Sequence, residues 1–162
     1  LPTKSKKTYL IIMLAIVAVD QASKWLVSKY IEPRIAVDVV KGFFRLWTVR
    51  NSGAIWGFFS GHDSRWVPLL ITALAVTALL VVVFFFLRTP ARCRLELTSY
   101  AVILGGALGN IIDRLRLGYV VDFLDVYYKT WHWPTFNLAD SCITVGVLLL
   151  AVSLWRGKCT PY

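Results

Sequence analysis

The sequence predicts an all-α membrane bundle of four transmembrane helices, with a small extracytoplasmic β-rich cradle and a short interfacial helix. Three observations carry that expectation. Of 162 residues, 57% are apolar, and the mean hydropathy of +0.63 is too high for an ordinary soluble core. Four apolar runs, 9–25, 66–87, 97–112 and 138–155, approach the length that crosses a bilayer. The segments between them, 26–65 and 113–137, are rich in β-branched and aromatic residues broken by glycine, the pattern of short strands and turns. Neither segment is long enough for a core of its own, so the chain 1–162 reads as a single membrane domain.

The first run follows "KSKKTYLIIMLAIVAV", which has the basic and apolar regions of a secretory signal. It lacks a small-x-small cleavage site and continues past Asp20 into "ASKWLV", so a permanent span is expected. Asp20 and Lys24 lie one turn apart with the acid first, the favourable order for an ion pair, and a paired charge costs less in lipid than a lone one. The first external segment, "VDVVKGFFRLWTVRNSGAIWGFFSG", has Gly42, Gly53, Gly57 and Gly61 as punctuation; strands are expected first, then an amphipathic piece over 54–60 at the interface.

The second span, around "PLLITALAVTALLVVVFFF", offers almost nothing polar. The third ends in "LGGALGNIIDR", where Gly105, Gly106 and Gly109 suit close helix approach and Asn110, Asp113 and Arg114 share one face. In "GYVVDFLDVYY" strand alternation sends Asp122 and Asp125 to opposite faces. The fourth span opens with "FNLAD", which places Asn137 as a helix cap and Asp140 in the first turn, where an acid favours the positive end of the dipole.

Four spans put both termini on one side with the loop between spans two and three. That side holds Lys4, Lys6, Lys7, Arg88, Arg92, Arg94, Arg156 and Lys158 against the single acid Glu96, while the nearly as numerous basic residues opposite are diluted over two long segments, which predicts termini on the inner side. Trp25, Tyr30, Trp66 and Trp155 fall near span ends, as interfacial aromatics do. The net charge of +9 then reflects topology and contact with lipid headgroups. Nucleic acid is excluded as a partner, because no basic stripe is interleaved with aromatics on a soluble face. Cys93, Cys142 and Cys159 suggest no disulfide framework and read as small apolar or incidental thiols.

On this topology Asp20 and Lys24, the Asn110 to Arg114 face, Asp122, Asn51 with Gly53, and Asn137 with Asp140 all point to the outer-leaflet edge of the bundle. Each has a bland reading as ion pair, dipole partner, turn or cap, but their convergence at one depth marks a site. The reactive inventory is narrow. His62 and His132 do not form the spaced pair of a zinc site, and Ser52, Ser141 and Cys142 lack an evident base. Two aspartates remain. If Asp122 and Asp140 meet in a partly dry site, both cannot ionise comfortably, and one proton shared between them equips the pair to activate water against a peptide carbonyl.

"VDQASK" (19–24), "RNSGAIWG" (50–57), "GGALGNIIDRLRLGYVVDF" (105–123) and "FNLADS" (136–141) together resemble the lipoprotein signal peptidases, called signal peptidase II, over essentially the whole chain. The resemblance implies an aspartyl endopeptidase that removes the signal peptide of diacylglyceryl-modified prolipoproteins just before the lipidated cysteine. It implies catalytic roles for Asp122 and Asp140. It also implies pocket positions for Asn51, Asn110, Arg114 and Asn137, a first-span motif in Asp20 and Lys24, no metal or other cofactor, no obligatory protein partner, and inhibition by globomycin. One departure is Ile55, where the family commonly has alanine. Trp56, Phe58 and Phe59 would fold over the scissile bond. Two other classes stay open at this point: a small proton-coupled transporter, and a lipid-binding assembly subunit in which both aspartates are replaceable.

Overall fold

The computed structural model describes residues 6–33, 35–53, 66–157 and 159. The amphipathic piece expected over 54–60, with Ile55, Trp56, Gly57, Phe58 and Phe59, lies outside the described residues, as do Lys4, Gly61, His62 and Lys158. Helices α1 (Lys6–Tyr30), α2 (Trp66–Arg88), α3 (Arg94–Leu117) and α4 (Leu138–Arg156) account for the four apolar runs. Each is long and apolar enough to cross a membrane. They exceed the apolar runs because Lys and Arg stems continue the helix while their charged ends reach toward water.

Helix α3 is the hub, packed against α1, α2 and α4, and most of its length is buried. Its glycines are the reason. A β-carbon at Gly105 would meet Ile16 of α1, at Gly106 the backbone carbonyl of Ala139 on α4, and at Gly109 the carboxylate of Asp20. Gly146 returns the arrangement on α4, where a β-carbon would meet Ile103 and the carbonyl of Ser99. Helix α2 packs mainly on α3, and leaves Leu69, Leu70, Leu74, Leu80 and Phe84 exposed, as suits a lipid-facing span. At one end of the bundle Tyr9, Phe86, Leu97, Tyr100, Ala101 and Leu104 form the apolar core. There the Lys6 ammonium donates to the carbonyls of Leu87 (2.7 Å) and Phe86 (3.2 Å), satisfying the C-terminal end of α2.

The cysteine expectation is corrected at that end. Cys93 and Cys159 are joined by a disulfide, and only Cys142 is free. Helices α3 and α4 run antiparallel, so the residue preceding α3 and a residue three positions past the end of α4 arrive side by side with Cα atoms 5.6 Å apart. A separation of 66 residues hides that meeting from any local pattern.

At the opposite end, β1 (Val37–Val40), β2 (Phe44–Asn51), β3 (Val120–Tyr128) and β4 (Trp131–His132) form an antiparallel sheet in the order β1-β2-β3-β4. Asp122 pairs across from Val49 and Asp125 from Arg45, and the two acids meet different neighbours, as the alternation predicted. Beyond β4, Phe136 exchanges backbone hydrogen bonds with Leu124, so the residue before α4 is tied to the middle of β3. Gly118 turns the chain out of α3 in the left-handed region, φ 79°, with its N–H on the carbonyl of Arg114.

Gly106→Val should cost about 1–3 kcal/mol through overpacking against α4, read as a fall in the unfolding midpoint of detergent-solubilised protein. An unchanged midpoint would mean that the α3 to α4 contact does not need the missing side chain.

Candidate active site

The site is built from the N-terminal end of α4 outward. Asn137 is extended and caps the helix: its side-chain oxygen accepts from the Asp140 N–H (2.9 Å), while Asp140 Oδ2 accepts from the Asn137 N–H (3.1 Å). The expected cap is therefore present. Capping also fixes the amide, because an oxygen committed to a backbone donor turns Nδ2 the other way. That nitrogen lies 2.7 Å from Asp122 Oδ1 and 3.1 Å from Asn110 Oδ1. Asn137 is 0% exposed, so its orientation is not shared with water.

Asn110 is aimed by charge. Its Oδ1 faces the Lys24 ammonium at 2.9 Å, and since an ammonium only donates, Nδ2 must point away from it. It points to Asp140 Oδ1, 2.7 Å away. Asn51, at the end of β2, donates to Asp122 Oδ2 at 2.8 Å while its own oxygen accepts from the N–H of Gly53 at 2.8 Å. Gly53, at φ 84°, is needed for that turn. Asn51 thus makes the expected turn and also reaches Asp122. All four oxygens of Asp122 and Asp140 thus accept from N–H groups, and each acid is reached by a different pair of chain segments.

Asp122 is 1% exposed. Burial pushes its pKa up to about 6, the hydrogen bond from Asn51 lowers it, and the charge of Asp140 raises it again, with Asn137 and Lys24 lowering it less.

Asp20 and Lys24 lie beneath the pair rather than in it. Lys24, 3% exposed, bridges Asp20 (2.9 Å) and Asp113 (3.0 Å). Asp20 Oδ1 accepts the N–H of Ala139 in the first turn of α4, and Asp113 Oδ2 accepts the N–H of Val121 beside Asp122. Each carboxylate therefore pins the backbone next to one acid of the pair. Gln21 joins this layer, donating to Asp113 Oδ1 at 2.9 Å and to the carbonyl of Gly109 at 3.2 Å. Sequence reasoning missed Gln21 and did not place Asp113 in the site. The (i, i+3) spacing of Asn110 and Asp113 was visible, but nothing local shows that both face Lys24.

Arg114 stands apart from these hydrogen bonds. It lines a cavity of about 300 Å³ between α2, α3 and α4, with Asn110 and Asp140 at one end and Ala75, Ala78, Leu79 and Ala107 along the walls. Asp125 is also separate: fully buried, it is held by Arg45 (2.6 Å) and His132 (3.0 Å). Cys93, Glu96 and Cys159 are close enough to hold a metal ion, but the two sulfurs are bonded to each other at the far end of the bundle.

Comparison with known proteins agrees with this architecture. A family model described as signal peptidase (SPase) II matches residues 12–156. A lipoprotein signal peptidase of Geobacter metallireducens is 43% identical over 152 residues, covering 94% of this chain and 93% of that protein. One from Francisella tularensis subsp. novicida is 38% identical over 156 residues, 96% of each. Two solved structures of a bacterial membrane enzyme superpose with TM-scores of 0.79 and 0.78, each at 30% identity. They cover 93% and 91% of this chain, and are covered to 88% and 92% themselves.

Lys24→Met would strand two buried carboxylates and should lower stability by about 3 kcal/mol, measured by unfolding in detergent. Adding Asp20→Asn should recover part of that loss. A single variant as stable as the parent would remove Lys24 as the support of the site.

Proposed function

This chain belongs to the signal peptidase II family, and from that premise we propose that it cuts diacylglyceryl-modified prolipoproteins just before the lipidated cysteine, using Asp122 and Asp140 as a pair that shares one proton. As a member of the family it is an aspartic peptidase that removes lipoprotein signal peptides. The observation that carries the mechanism is the mismatch between the two acids. Burial raises the Asp122 pKa to about 6, whereas Asp140 sits at a helix N-terminus, where its Oδ2 accepts the backbone N–H of Asn137.

In this reading Asp140 takes a proton from a water molecule as the oxygen attacks the scissile carbonyl, and Asp122 donates its proton to the carbonyl oxygen. Collapse of the tetrahedral intermediate breaks the C–N bond. A proton passes to the leaving cysteine nitrogen, the signal peptide leaves with a new carboxyl group, and the pair again holds one proton. Asn51, Asn110 and Asn137 steer the acids without adding charge. The bundle cavity takes the apolar signal segment, with Arg114 at its mouth, and globomycin-type cyclic peptides compete there.

We place the protein in the bacterial inner membrane with cytoplasmic termini and the sheet end outside, on the weight of basic residues at the opposite end. The Cys93–Cys159 bond lies at that inner end, against the rule that the cytoplasm keeps thiols reduced. The basic residues decide, because those at the sheet end are diluted over two long segments, whereas short loops and termini weigh most heavily.

The test offers purified protein a diacylglyceryl prolipoprotein. Asp122→Asn and Asp140→Asn should each lower kcat/KM by about a thousandfold or more. Because Asp122 is protonated below its pKa of about 6 and ionised above it, the one-proton state of the parent is lost upward, and kcat/KM should fall as pH rises through that region. Substrate that excludes water should move the kcat limb higher still. Cleavage retained in either variant, or a rate that climbs steadily through neutral pH, would overturn the mechanism.

A further inference from the structure

The acid pair stands between two cavities, one walled mainly by aliphatic side chains and one by aromatic and polar side chains. Asn110, which donates to Asp140, lines the apolar cavity inside the bundle. Asn51, which donates to Asp122, lines a second groove of about 680 Å³ on the sheet side. That groove is formed by Trp47, Arg50 and Asn51 of β2 together with His132, Trp133 and Thr135 at and after β4. Asp125 also lines it, but its charge is matched by Arg45 at 2.6 Å and His132 at 3.0 Å. Arg50 is different. It is exposed, its guanidinium lies 5.2 Å from the Tyr119 ring centre, and among the described residues it has no acidic partner. The groove therefore presents one cation without an acidic partner among the described residues, beside its aromatic walls.

A prolipoprotein has the matching asymmetry, with an apolar stretch before the scissile bond and a water-soluble protein after it. If the apolar half occupies the bundle cavity, the chain that emerges past Asp122 enters this groove. We propose that the groove binds the first residues after the lipidated cysteine, and that Arg50 makes it favour acidic over basic side chains there. The proposal rests on the peptidase reading above and adds a subsite with a charge preference. An exposed pair of this kind contributes modestly, so a preference of about three- to fivefold is expected.

Two diacylglyceryl lipopeptides test it, identical except for Asp or Lys at the second and third positions after the cysteine. Each is measured twice with the parent protein, Arg50→Gln and Arg50→Glu: as kcat/KM, and as binding of the fluorescent peptide to the detergent-solubilised protein. The parent should prefer the Asp peptide about three- to fivefold in both readouts, Arg50→Gln should abolish the preference and Arg50→Glu should reverse it. The same Asp to Lys ratio in all three proteins overturns the proposal, including the case in which Arg50 serves an anionic lipid headgroup and both peptides weaken together. Binding that discriminates without any cleavage by the parent would leave the groove standing and sink the peptidase reading instead.

Discussion

One buried ammonium organises the site. Lys24 lies among Asp20, Asp113 and Asn110, within 3.0 Å of each. Two carboxylates removed from water are tolerable there only because a cation and backbone N–H groups compensate them. Each carboxylate uses its other contacts to hold chain: Asp20 holds the start of α4 and Asp113 the start of β3. Those two starts carry Asp140 and Asp122. The two acids are thus placed by charges one layer below them, and the glycines of α3 let that layer form by admitting α1 and α4 to backbone distance.

The same ammonium settles a question of orientation that neutral partners would leave free. Because it can only donate, the Asn110 oxygen must face it and the nitrogen must face Asp140. Asn137 is oriented by its cap and delivers its own nitrogen to Asp122. Two acids held by similar donors nevertheless differ, since one is on a buried strand and the other at a helix N-terminus. That difference in surroundings is the basis for the proposal that one of them holds the proton.

Much of this was legible in the sequence because it is local. Helix spans follow from apolar length, the cap from "FNLAD", the Asp20 to Lys24 pair from four-residue spacing, and the separation of Asp122 from Asp125 from strand alternation. What was hidden depends on the approach of distant segments. Gln21 is an unremarked polar residue until α1 packs on α3, and Asp113 is only one member of a helix face until Lys24 arrives opposite it. The bond between Cys93 and Cys159 needs α3 and α4 to lie antiparallel. β4 is two residues long, too short for any periodicity, and it exists because β3 offers an edge.

The central claim is that the acid pair holds one proton, resident on Asp122. Infrared difference spectroscopy with isotope-labelled aspartate, followed as a function of pH, reads that proton as the carbonyl stretch of a protonated carboxyl group. The account predicts such a band titrating near the Asp122 value of about 6, absent in Asp122→Asn and shifted to lower pH in Asp140→Asn, where the neighbouring charge is gone. A protein with no protonated aspartate above about pH 5, or one whose band survives Asp122→Asn unchanged, would contradict it.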